Sequence, residues 1–227
     1  MPEYLFNQAE VKKKLAEFFI NEKADISNFG GSVNQTFEAY VFANVIKWYQ
    51  NNDWLVKIIN PITYGKPTFK LKFNTRGAPK NYSYVYCTKG EKSCQIRHGL
   101  RIHTKYHRDN NNKSANIVCD IVIMKDVEID DYSTDTALPN ENLIAFGEVK
   151  HMSAYAELIA SFIGLTFELK PDRLKRIRIS NWNHQDNISC FLYVSGLLYP
   201  TAKGLAETIE RRKYDIDIYS FDNPMND

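Results

Sequence analysis

Several protein classes are excluded by what this chain lacks. Cysteine occurs only four times, at 87, 94, 119 and 190. Two of these sit inside apolar runs, where an unpaired cysteine behaves as a small hydrophobe, so reduced thiols are expected rather than a disulfide framework. No stretch is long and apolar enough to cross a membrane, and the first twenty residues alternate charge and apolar groups, unlike a secretory leader. An intracellular, cytoplasmic location without membrane contact is expected. No internal repeat or low-complexity segment occurs, and neither sign of charge dominates, the formal balance being +2.

What is present describes a folded domain. The hydrophobic fraction of 44% and charged fraction of 25% are ordinary for globular chains. Fourteen tyrosines and thirteen phenylalanines argue against disorder. A length of 227 residues suits a single domain, 1–227, with a sizeable core.

Charge is unevenly placed. Between Lys92 and Lys113 six lysines or arginines and three histidines face one acid, Asp109. Lys170 to Arg178 carries five basic residues against Asp172. The first run mixes Arg97, Arg101, Lys105 and Arg108 with apolar residues, as a ribbon following a phosphate backbone would, or as a solvated hairpin face would. Arg173 and Arg176 in the second run are candidates for the same contact. Cys87 and Cys94, followed by His98, His103 and His107, allow a zinc reading, although the six-residue spacer is unlike the tight pairs of zinc ribbons.

Taken in order, residues 7–20 show helical spacing of Val11, Leu15, Phe18 and Phe19. Ser32 with Gln35 three residues later has the form of a capping box, opening a helix to about Gln50. Its polar side collects Thr36, Lys47 and Gln50, while Glu38 stacks with Val41, Phe42, Val45 and Tyr49. A glutamate there either borders the apolar face or is aimed into a site between helix and sheet. Strands are expected at 54–59, 67–73, 82–87 and 95–106, the second alternating strictly and half-exposed. A strongly apolar helix at 153–169 should be covered on more than one side. A continuous apolar strand at 188–198 should be buried on both faces. The helix 201–213 and the strand 215–220 then complete a nearly parallel β-α-β unit.

Two stretches carry the chemistry. The apolar run 115–124 holds one acid, Asp120, and burying an unpaired carboxylate among isoleucines and valines is costly, so it should serve some purpose. The run 143–150 ends in Glu148-Val149-Lys150, where i and i+2 share one face of a strand. Together they look like a long-looped hairpin of a central sheet. The tripeptide pattern also occurs at Glu10-Val11-Lys12 and Glu168-Leu169-Lys170. Both of those fall in helical patterns, where i and i+2 diverge by about 200°.

This order, a helix with Glu38, a strand with Asp120, a strand ending Glu148-Val149-Lys150, then helix, strand and helix, resembles the PD-(D/E)xK nuclease superfamily. Cys119 stands where the pattern has proline, and the spacer between Asp120 and Glu148 is long. The resemblance implies an α/β, restriction endonuclease-like three-layer core, with a mixed central sheet flanked by helices. Residues 65–118 would be an extra, β-rich basic insertion or an elaborated hairpin.

It implies in turn a Mg²⁺-dependent DNA endonuclease of restriction or defence type, with Mn²⁺ able to substitute. The catalytic set would be Asp120, Glu148, Lys150 and Glu38. Phosphodiester hydrolysis needs a hydroxide at neutral pH and relief of charge on the phosphate oxygens, which Mg²⁺ supplies. Mg²⁺ accepts a few carboxylates plus waters, so Asp120 and Glu148 are the expected main ligands with the Val149 carbonyl as a third, and Glu38, if it reaches the site, would hold a second metal or a metal-bound water. Lys150 would orient water or stabilise charge. The expected partner is nucleic acid, chiefly double-stranded DNA, and two-strand cutting would favour a homodimer. Two rivals remain, a nuclease-fold binding or assembly module without catalysis, and a plain salt bridge between a strand acid and Lys150.

Overall fold

The computed structural model describes residues 6–22, 24, 26–107, 115–129, 137–175 and 187–225. Helix α1 spans Gln8–Phe18 and α2 spans Val33–Asn51. The start of α2 is the expected capping box: Ser32 Oγ accepts the Gln35 N–H, and the Gln35 side chain accepts the Ser32 N–H. The helix buries Phe37, Val41, Phe42, Val45 and Tyr49, and full burial of one such aromatic contributes about 1.5–3 kcal/mol. Thr36, expected on the polar side, is instead fully buried. Its hydroxyl donates back to Ser32 O and accepts from Gln8 Nε2, which removes the cost of burial.

The strands are β1 (Leu55–Ile59), β2 (Ile62–Thr63), β3 (Lys66–Pro67), β4 (Tyr84–Lys89), β5 (Lys92–His103), β6 (Asn116–Lys125), β7 (Leu143–Lys150), β8 (Cys190–Val194) and β9 (Ile216–Tyr219). Seven form one mixed sheet in the order β1-β4-β5-β6-β7-β8-β9, and β2 and β3 pair separately. Pairing is antiparallel from β1 to β7 and parallel from β7 to β9. Helix α4 (Pro200–Arg212) links β8 to β9, as the β-α-β pattern predicts.

Helices cover both faces. Phe37 of α2 meets Tyr193, which is in register with Val149. Phe162 of α3 (Ala156–Leu169) meets Phe146, three positions from Val149 and so on the opposite face. This is an α/β fold with a mixed central sheet between helices. Every residue of β8 is buried, as its unbroken apolar run requires. The apolar helix α3 is less enclosed than its composition suggests: Ile159, Phe162, Thr166 and Leu169 are buried, while Phe167 is exposed.

The segment 65–118 divides. The hairpin β4–β5 and the start of β6 belong to the sheet itself. The alternating run 67–73 is not a strand beyond Pro67. It lies against Ser83 and β5 as chain without regular structure, with Phe69, Leu71 and Lys72 buried. It is tied down by bonds between Lys70 and Ser83 and from Lys72 Nζ to Gly99 O. Lys72 lies over Gly99, whose φ is +65° and where an added Cβ would meet Lys72 O at 2.2 Å. Among the described residues no helix is long and apolar enough to cross a membrane.

Candidate active site

The site is made by a fork in the sheet. Strand β6 pairs with β7 only from Met124 to Ile121, and then stays with β5 as far as Asn116. Strand β7 follows β8 instead, from Gly147 to Lys150. The last rung joins Ile121 to Gly147, so Asp120 and Glu148 are the first residues past it. Parting strands leave unpaired backbone groups, and one of them is taken up by a side chain: Asp120 Oδ2 accepts the Val149 N–H at 2.8 Å. The costly carboxylate thus has a structural partner as well as a place at the opening.

Lys150 stands between the two acids. Its Nζ is 2.5 Å from Glu148 Oε1 and 3.5 Å from Asp120 Oδ2. All three are partly open to solvent. Glu38 reaches inward from α2, its Oε2 lying 3.3 Å from His98 Nε2. Its negative charge bears on both Asp120 and Glu148. The four residues read from the sequence as catalytic are therefore electrostatically one group, with three carboxylates against one ammonium.

Their ionisation reflects this crowding. Burial pushes the Asp120 carboxyl above its usual range, more than Lys150 and the Val149 N–H pull it down, and Glu38 adds to the rise. Burial raises Glu148 as well, and the like charge of Asp120 raises it further. Burial alone would depress the Lys150 ammonium, but Asp120 and Glu148 together hold it above the ordinary lysine value. Mutual perturbation of this kind is the pattern of functional sites, and structural ion-pair networks produce it too.

The fit to a divalent cation rests on this donor set. Two carboxylates face each other across an ammonium, a position where a cation is already favoured, and hard oxygen donors of this kind suit Mg²⁺. Among the described residues no three His, Cys, Asp or Glu side chains are grouped tightly enough to hold an ion by themselves. Waters and substrate oxygens would have to complete the shell. Val149 contributes its N–H to Asp120, and its side chain is buried.

The basic candidates separate. Arg97 and Arg101 flank Gly99 on β5, which lies between the rungs His98–Ile121 and Leu100–Cys119 and hence opposite Asp120. Arg97 lies over the Tyr84 ring at 4.1 Å and donates to Gln95 Oε1 at 2.9 Å. Arg101 donates to Asn116 Oδ1. Lys105 is exposed in the turn after β5. Arg173, by contrast, is buried: it pairs with Asp215 and donates to Ile144 O, at the other end of β7 from the fork. Arg108 and Arg176 lie outside the described residues.

The zinc grouping does not assemble among the described residues. Cys87 and Cys94 face each other across β4 and β5, buried as free thiols. His103 and His107 stack on one another with centroids 3.9 Å apart. His98 goes elsewhere, to Glu38, and is the residue that sequence reasoning left out of the site. Its signal was parity, since it continues the buried face of Cys94 and Ile96. His151, next to Lys150, is engaged with Ser195 Oγ at 2.7 Å, and burial lowers its pKa. Comparison of the chain with models of known families, with curated proteins and with solved structures finds no match.

Proposed function

We propose that this protein is a metal-dependent nuclease that hydrolyses phosphodiester bonds, a DNA endonuclease of restriction or defence type. The observation that carries the reading is Lys150 Nζ held between Asp120 and Glu148 where the strands part, with Glu38 acting on both acids. An ammonium and carboxylates at one solvent-open point serve a reaction that must handle a phosphate's negative charge and activate water. A helix-covered mixed sheet whose strands carry these residues in this order also agrees with the resemblance to PD-(D/E)xK nucleases.

In this reading Asp120 and Glu148, with the Val149 carbonyl, would hold Mg²⁺ or Mn²⁺, and Glu38 would hold a second metal or a metal-bound water. A bound divalent ion would supply acidified water and neutralise charge on the phosphate. The chain's own residues do the rest. The Val149 N–H keeps one Asp120 oxygen fixed, so the carboxylate enters the opening in a single orientation. Lys150 places a positive charge beside the attacked phosphate and orients water by hydrogen bonding. Arg97 and Arg101, on the strand opposite Asp120, and Lys105 beyond them would follow the backbone of a duplex. A homodimer would bring a second fork to the other strand.

The test is incubation of the purified protein with supercoiled plasmid in Mg²⁺ or Mn²⁺, beside Asp120→Ala and Lys150→Ala. Nicking or linearisation by the wild type alone is expected, and full activity in either variant would sink the assignment. Salt-dependent binding without cleavage, unaffected by Glu148→Ala, would instead identify a binding module that keeps only the fold.

A further inference from the structure

The Glu38–His98 pair is not accounted for by the fold. His98 is 4% exposed, with the rings of Phe73 and Phe42 edge-on at 4.8 and 6.1 Å. Its Nδ1 is 2.8 Å from Lys72 O. A carbonyl oxygen only accepts, so Nδ1 carries the proton of that bond, and in the neutral ring the lone pair lies on Nε2. Nε2 is buried and makes no hydrogen bond among the described residues. Glu38 Oε2 is 3.3 Å away, close enough for attraction but out of line for a ring N–H donor. An imidazole lone pair turned toward a carboxylate without a hydrogen bond is unfavourable, and either a proton on Nε2 or a metal ion shared by the two groups relieves it.

The spacing is that of two ligands on one ion. Donors each about 2.1 Å from a metal, at tetrahedral to right angles, stand roughly 3.0–3.4 Å apart. The backbone carbonyl on Nδ1 is the usual partner of a ligating histidine, fixing tautomer and ring plane. We infer that Glu38 and His98 form a second cation subsite, one that takes a divalent transition-metal ion. The nitrogen donor sets it apart from the oxygen donors at Asp120 and Glu148, because imidazole favours first-row transition ions where carboxylate and water suffice for Mg²⁺. Two protein ligands leave the remaining positions to water, and to phosphate oxygens where substrate is present. Gly99 is part of the device, since only a residue without Cβ lets Lys72 O approach closely enough to hold the ring.

This subsite holds whether or not the fork cleaves DNA. The experiment is Mn²⁺ titration of the purified, chelator-stripped protein, free Mn²⁺ being read by electron paramagnetic resonance in excess Mg²⁺. One Mn²⁺ per chain should resist displacement by Mg²⁺, bind at least tenfold more weakly in Glu38→Gln and His98→Gln, and survive in Glu148→Gln. Because His98 is buried, circular dichroism melting accompanies its variant, and Glu38→Gln, at a side chain 21% exposed, stands as the independent arm. Absence of the Mg²⁺-resistant site in wild type, or unchanged Mn²⁺ affinity in folded Glu38→Gln, overturns the inference. Mn²⁺ bound as expected with no plasmid cleavage would refute the nuclease reading and leave the subsite standing.

Discussion

Asp120 Oδ2 accepts the Val149 N–H at 2.8 Å, across the point where β6 and β7 separate. One carboxylate oxygen thereby does the work of a missing ladder bond, and its position in the opening becomes a property of the backbone. Removing the side chain removes both functions. Asp120→Asn can keep the bond, because an amide oxygen also accepts, while losing the charge. In the proposed reading Asp120→Asn therefore stays folded but cuts plasmid at least ~10²-fold more slowly. Equal rates for the variant and the wild type would be the contrary result.

Lys150 tests the same geometry from the cationic side. Lys150→Met keeps the stem and removes the charge that offsets Asp120 and Glu148. Both carboxyls should then titrate at still higher pH in the metal-free protein. Carbon-detected NMR of the side-chain carboxyls measures this directly, and unmoved titration curves would contradict the placement of Nζ between them.

The ionisation of the site makes stability depend on pH with a definite sign. Asp120 and Glu148 titrate above their ordinary values of 3.8 and 4.5 in the folded state. Above those values the folded chain holds more protons than the unfolded chain, so ν_U − ν_N is negative and stability falls as pH rises toward the folded pKa values. The metal-free protein should therefore lose stability from this site through that window, and a divalent ion should restore it. Asp120→Asn should melt higher than wild type at pH 7 without metal, by about 2–4 °C for each 1 kcal/mol relieved. Scanning calorimetry with chelator checks it, and a lower melting temperature would count against the crowded-carboxylate account. Lys150 has the opposite placement: its raised pKa gives stability that is present below the ordinary lysine value and lost only as pH climbs through the folded one.

Gly99→Ala should destabilise more than a surface change does. Its φ is +65° and the new Cβ would meet backbone at 2.2 Å, a combination worth about 1–3 kcal/mol. The run 69–74 would have to lift, carrying Lys72 O away from His98. Urea unfolding measures the loss, and a shift within ~0.5 kcal/mol would show that the run is not held as described.

The arginines should behave in two ways. Arg97→Ala and Arg101→Ala should weaken DNA binding, each reducing the log–log salt slope by about 1. Arg173→Ala should act on folding instead, because it takes the cation from the Asp215 carboxylate, whose side chain is 8% exposed and keeps the Ser189 hydroxyl as a donor, at a cost of up to about 3–5 kcal/mol. Fluorescence anisotropy at several salt concentrations, beside urea melts, separates the two. A changed salt slope with unchanged stability in Arg173→Ala would reverse the assignment.

Much of this protein was determined by the sequence alone, wherever the controlling physics is local. The Ser32–Gln35 box opened α2 where expected, because capping needs only residues three apart. Of the apolar run 188–198, residues 190–194 became a strand buried on both faces, and the ends of the run lie outside it. Of three Glu-x-Lys tripeptides, the two in helical patterns lie in α1 and at the end of α3, and only Glu148-Val149-Lys150 closes a strand.

The tertiary structure decided what depends on residues distant in the chain. Thr36 was buried by a helix that packs over it, and 67–73 bonds through Lys70 and Lys72 to Ser83, His98 and Gly99 instead of forming a ladder. Arg173 was drawn inside by Asp215, forty-two residues away. Above all, the fork comes from the β6–β7 ladder ending at Ile121 and Gly147 while β6 stays with β5 and β7 goes on with β8, and no local pattern records where a ladder stops. That is why Asp120, Glu148 and Lys150 could be named from the sequence, while their convergence, and the place of His98 beside Glu38, came only with the fold.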